Sequence, residues 1–198
     1  MFSCIGGKSV LPIPGERRYL WDKQTGNCRF EAITSANDTL VVLFNVKTST
    51  GTVYVNNNQE KDLSSAKALV SKATLAFEQD ANLLFLPTSL DGSDVNFTVE
   101  EEKLIGSKRF TVVNLQNHKT SFESSINGLL YVNEQTGHIQ YWTSNQPNQP
   151  DYTIGGFKDI GGGLVLPTHF TGEDSMSTVT YPLAAALINI EAHKFNTP

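Results

Sequence analysis

Short apolar runs, set apart by Asn, Asp, Gly and Pro, dominate the chain from residue 30 onward. They fall at 40–46, 52–55, 83–86, 95–99, 110–113, 129–132, 138–142 and 152–154, and are rich in Val, Ile, Leu, Phe and Tyr. Runs this short, built from β-branched and aromatic residues between turn formers, predict strands joined as hairpins. The helical segments that a parallel sheet needs between its strands are missing, which excludes a doubly wound α/β domain. One segment departs from the pattern. At 63–77, Leu63, Ala66, Leu69, Val70, Ala73 and Phe77 recur at helical spacing, with Asp62 or Ser64 placed to cap the start. Read as strands, the same residues give a hairpin about 69–71, and both readings stay open at this level. Before residue 28, Gly6-Gly7, Pro12, Pro14-Gly15 and Gly26 break up any long element and predict an irregular arm. After the glycines at 155–156 and 161–163, the apolar stretch 184–190 predicts a buried final strand or short helix.

An internal echo organises the strands. Ser49-Thr-Gly-Thr-Val-Tyr-Val-Asn56 and Ile126-Asn-Gly-Leu-Leu-Tyr-Val-Asn133 share a Gly, two residues, then Tyr-Val-Asn. Phe30, Phe77, Phe110 and Tyr152 each lead a candidate strand, at spacings near about forty residues. Three four-stranded units of that length are what a β-trefoil requires. The block 119–142 resembles a unit of the cytoplasmic trefoils of the fascin and hisactophilin kind, in which a small-residue turn leads to a Gly-x-Tyr strand and a further Gly turn. The middle unit lacks the Gly-x-x-Tyr, the chain lacks hisactophilin's histidines, and it continues past the last unit, so no functional residue is carried over. The fold expected is all-β, a β-trefoil-like core with N- and C-terminal extensions, the alternative being a β-sandwich. The boundaries expected are an N-terminal arm at 1–29, a β-rich core at 30–157 and a C-terminal extension at 158–198.

Composition narrows the function. Acids outnumber bases, 20 to 15, for a net charge of −5, which argues against binding a phosphate backbone. No run reaches the length of a membrane span and no secretory leader is visible, so a cytoplasmic protein is expected. The two cysteines, Cys4 and Cys28, then read as reduced thiols, with a bridge between them left open at this level, and the Asn37 and Asn96 sequons read as chance matches. Candidate chemistry is sparse. Gly6-Gly-Lys-Ser9 lacks the first glycine of a phosphate loop. His118, His138, His169 and His193 follow no zinc spacing, and Glu100-Glu-Glu102 reads as a solubilising turn. No nucleophile elbow occurs. A non-enzyme without cofactor or metal is expected. The stretch best suited to a ligand is Tyr141, Trp142, Asn145, Gln146, Asn148 and Asp151, where flat aromatic area meets amide and carboxylate hydrogen-bonding groups. It predicts recognition of a glycan or a protein surface through polar-aromatic loops. The alternative is a structural subunit of a larger assembly, tethered by its arms and open to homo-oligomerisation. If Trp142 instead faces inward, it is a core residue.

Overall fold

In a computed structural model, the described residues are 1–7, 13, 15–91, 95–117, 127–145, 150–172 and 177–198. The fold is mostly β, with a 22-residue helix. Contacts divide the chain into two compact units. The first comprises Met1–Glu78, Ile160–Leu164 and Tyr181–Pro198, and the second Gln79–Asp159 and Val165–Thr180. The divisions thus fall at 78/79, 159/160, 164/165 and 180/181.

The first unit is an antiparallel meander. Its strands are β1 (Phe2–Gly6), β2 (Arg17–Trp21), β3 (Asn27–Ile33), β4 (Thr39–Asn45), β5 (Thr50–Val55) and β6 (Asn58–Gln59), each paired with its neighbour in sequence. The irregular arm expected before residue 28 is therefore corrected: it contributes two strands and the start of a third. Alternation explains why. In β2, Arg17 and Tyr19 are buried while Arg18 is exposed; in β3, Cys28, Phe30 and Ala32 are buried between less buried neighbours. Register aligns Phe2, Tyr19, Phe30, Val42 and Val53 into one row across five strands, each at most 2% exposed.

Helix α1 (Leu63–Leu84) belongs to the first unit as far as Glu78 and there packs on that row through Phe77. The Phe77 ring lies 5.2 Å from Trp21, 5.7 Å from Tyr19 and 6.1 Å from Phe2. Val70, Ala73, Ala76 and Phe77 form its buried stripe, the 3.6-residue periodicity visible in the sequence. Asp62 caps it, its carboxylate accepting the Ser65 N–H at 2.9 Å. The Ser65 hydroxyl and that N–H hold the Asp62 carboxyl below its ordinary range. The unbroken helix settles the 63–77 ambiguity and corrects the β-trefoil, whose first repeat required a strand and turn there. The strand expected at 83–86 is also corrected, since α1 runs to Leu84 and a 3-10 turn (Leu86–Asp91) follows. Leu84 and Leu86 are both fully buried, so the apolar run reflects helix-end packing.

The second unit is again a meander. It contains β7 (Val95–Val99), β8 (Lys103–Ile105), β9 (Lys108–Asn117), β10 (Gly128–Asn133), β11 (Ile139–Ser144), β12 (Tyr152–Gly155), the small hairpin β13 (Lys158–Asp159) and β14 (Val165–Leu166), then β15 (His169–Thr171) and β16 (Val179–Thr180). Both β7 and β8 pair with β9, and the order continues β9, β10, β11, β12, β15, β16. Leu115, Leu130, Trp142, Tyr152 and Phe170 belong to its buried core.

The Tyr-Val-Asn echo has a local cause. A Cβ on Gly51 would lie 2.2 Å from the Leu43 carbonyl oxygen of the preceding strand. A Cβ on Gly128, at φ +132°, would lie 2.1 Å from that of Thr143 in the following strand. Both glycines permit close backbone approach, but towards opposite neighbours. The echo thus marks two tightly paired meander strands. Gly51→Ala and Gly128→Ala are each expected to destabilise by about 2 kcal/mol or more, because the clash is with backbone. Urea midpoints of the two variants check this.

Candidate functional site

The strip singled out in the sequence is divided by its own strand. Trp142 is 2% exposed; its ring stacks on Tyr152 at 5.6 Å, and its indole N–H donates to the Asn127 carbonyl at 3.2 Å. Tyr141 is half-buried on the opposite face, edge-on to Phe110 at 5.5 Å and Tyr131 at 6.2 Å. Asn145 and Asp151 are exposed. The Asp151 carboxylate accepts the Ser144 N–H at 2.9 Å, which joins the ends of the loop. Gln146 and Asn148 lie outside the described residues, as do His118 and the Lys8-Ser9 pair. Among the six, the two aromatics therefore face opposite sides of β11 and form no shared aromatic surface.

A cleft of about 950 Å³ lies in the first unit, within the size range of small-molecule sites. One wall is the outward face of β2 and β3, where Arg18 pairs in register with Glu31 and Leu20 with Arg29. The other is the chain after Tyr181. Its start is pinned to β1: Ser3 N–H donates to Leu183 O at 2.8 Å, Leu183 N–H to Ser3 Oγ at 3.2 Å, and Ala185 N–H to Met1 O at 3.0 Å. Its end is pinned by Arg29, whose Nε donates to Glu31 and whose Nη1 donates to the carbonyls of Lys194, at 3.3 Å, and of Thr197. A 3-10 turn (Ala192–Phe195) packs there against β3.

Between these pins the segment carries Leu187, 45% exposed, and Ile188, 88% exposed. Asn189 follows at φ 56°, a left-handed conformation that asparagine tolerates better than most residues. The buried strand or helix expected at 184–190 is corrected: Ala184 makes a single bridge to Phe2, and the apolar side chains beyond it turn to solvent beside the cleft.

The charges on the β2–β3 wall are mostly matched. Arg18 Nε donates to Glu16 Oε2 at 2.7 Å. The Ser3 hydroxyl, and then Arg18, hold the Glu16 carboxyl below its ordinary value, while Glu16 raises that of Arg18. Because the folded value for Glu16 is the lower one, this stabilisation is complete above the ordinary glutamate range. It is lost only as pH falls through the folded value. Cys4 and Cys28 are buried thiols outside any disulfide, and burial pushes the Cys28 thiol far up. Arg17 Nη2 reaches Cys4 Sγ at 3.1 Å. Among the described residues, no group of three or more His, Cys, Asp and Glu is arranged to hold a metal, and no helix is long and apolar enough to cross a membrane.

No protein-family model and no curated protein matches the sequence. Among solved structures, the chain is similar to a LolA superfamily protein from Nitrosomonas europaea. The identity is 12% and the TM-score 0.40, over 98% of this chain and 89% of that chain. A likeness of that strength assigns no ligand. Recognition of a glycan or protein surface by the 141–151 strip is corrected, and the assembly-subunit alternative loses its N-terminal tether, because residues 2–6 and 17–21 pair as β1 and β2. The strip's central aromatic, Trp142, is closed inside the second unit, and Tyr141 turns to the other face. The groups that build the cleft were missed in the sequence. Their only local signal is the pairing of apolar Leu187-Ile188 with charged Glu191 and Lys194 a turn later.

Proposed function

We propose that the cleft of the first unit binds a small amphipathic molecule without transforming it. The observation that carries this reading is Ile188, 88% exposed beside a cleft of about 950 Å³. Large apolar side chains gathered at a concave site gain most when a ligand covers them. Leu183, Leu187 and Ile190 extend the apolar lining, and Arg18, Arg29 and Glu31 give it a polar wall. The non-catalytic part rests on the use of those charges, because each arginine is engaged by a glutamate of the same wall. Holding a ligand needs such walls; chemistry needs a titratable group directed at a reacting atom.

N-phenyl-1-naphthylamine, a neutral dye that brightens in apolar surroundings, tests the reading. It is expected to bind the full chain with micromolar affinity. Ile188→Asp places a charge on the apolar wall and is expected to weaken binding by roughly tenfold or more. Stability should barely change, since the side chain is solvent-exposed. Absence of dye binding, or undiminished binding to Ile188→Asp, overturns the proposal.

A further inference from the structure

The charges at the C-terminal wall define a head group. Of the ionisable side chains lining the cleft, Arg18 is taken by Glu16 and Arg29 by Glu31. Glu191, His193 and Lys194 follow, all exposed and all lining the cleft, while the Met1 ammonium donates to the Ala185 carbonyl; of the three side chains, Glu191 and Lys194 are the carboxylate and the ammonium. Among the described residues neither has an ion-pair partner. They lie within a single turn, in which the Lys194 N–H donates to the Glu191 carbonyl at 3.1 Å. Arg29 fixes the backbone of the turn by donating to the Lys194 carbonyl, and Leu187 and Ile188 line the same cleft.

We infer that the cleft selects an amphiphile with a zwitterionic head: an anionic group meeting Lys194, a cationic group meeting Glu191, and an apolar tail against Leu187 and Ile188. This rests on the cleft being the ligand site. A singly charged head satisfies one of the two residues and faces a like charge from the other, which is unfavourable at this spacing. A zwitterion satisfies both. Because Arg18 and Arg29 already have carboxylate partners, they supply no free cation that would shift the preference towards anions.

The experiment displaces N-phenyl-1-naphthylamine from the full chain with three amphiphiles of equal tail length, each below its micellar concentration. They are dodecylphosphocholine (zwitterionic), dodecanoate (anionic) and dodecyltrimethylammonium (cationic). Dodecylphosphocholine is expected to displace the dye at concentrations several-fold to about tenfold lower than either of the others. Lys194→Glu should move the preference to dodecyltrimethylammonium, and Glu191→Lys to dodecanoate. Both positions are exposed, so folding is retained, and a urea midpoint unchanged in each variant verifies it. Equal or tighter binding of a singly charged amphiphile by the unmodified chain overturns the inference and leaves the cleft reading intact. So does a preference that neither charge reversal moves. Failure of the dye itself to bind removes the cleft reading, and this inference with it.

Discussion

Replacement of Phe77 by alanine is expected to cost about 4–5 kcal/mol, the upper part of the range for a buried aromatic. Phe77 is 5% exposed and stands among Phe2, Tyr19, Trp21 and Phe44, with ring centroids between 5.2 and 6.4 Å away. Two of these, Phe2 and Tyr19, belong to the five-strand apolar row. Removing the ring opens a cavity where helix and sheet meet, and rigid strands on one side cannot collapse into it. A domain of ordinary stability has about 5–15 kcal/mol in hand, so the variant approaches the unfolding threshold. Urea denaturation followed by far-ultraviolet circular dichroism measures the loss. Phe77→Leu refills most of the volume and is expected to cost markedly less. A loss below about 1.5 kcal/mol for Phe77→Ala would contradict the packing of α1 on the first sheet.

Trp142→Ala is expected to cost about 3–5 kcal/mol through the same cavity effect in the second unit. The lost groups are the stack on Tyr152 and the indole donor to Asn127 O. Trp142→Phe keeps an aromatic ring but leaves that carbonyl without its donor, which adds about 1 kcal/mol to whatever the smaller ring loses. The chain holds two tryptophans, Trp21 and Trp142, so Trp142→Phe also isolates the emission of Trp21. Dye binding by folded Trp142→Phe is expected to equal that of the unmodified chain, since the cleft draws on residues of the first unit alone. A stability change near zero for Trp142→Ala would restore an exposed role for this residue.

The strands were legible because their signal is local. At 40–46, 95–99, 110–113, 129–132 and 152–154 the apolar runs became β4, β7, part of β9, β10 and β12 with only small boundary shifts. Alternation and β-branching act within a few residues, which is the range over which a sequence can be read. The arm before residue 28 pairs as strands despite its glycines and prolines. Phe2, Cys4, Arg17 and Tyr19 supply inward side chains at every second position of β1 and β2. The Tyr-Val-Asn echo has a steric origin. Gly51 and Gly128 answer the same steric demand in two meanders, and a shared demand looks like a repeat.

Helix α1 was written in the spacing of Ala66, Val70, Ala73 and Phe77 and in the Asp62 cap, both of which operate within one segment. The direction of the Trp142 face was not written there. In 138–142 every second residue shares a side, but which side meets a core depends on what β10 and β12 bring alongside. The cleft depended still more on tertiary structure. Arg18, Arg29 and Glu31 are distant in sequence from Leu187, Ile188 and Lys194, and chain pairing at Ser3–Leu183 and the Arg29 contacts bring them together. Local order followed from nearest neighbours along the chain, whereas the site followed from long-range closure, because a cleft is a relation between segments.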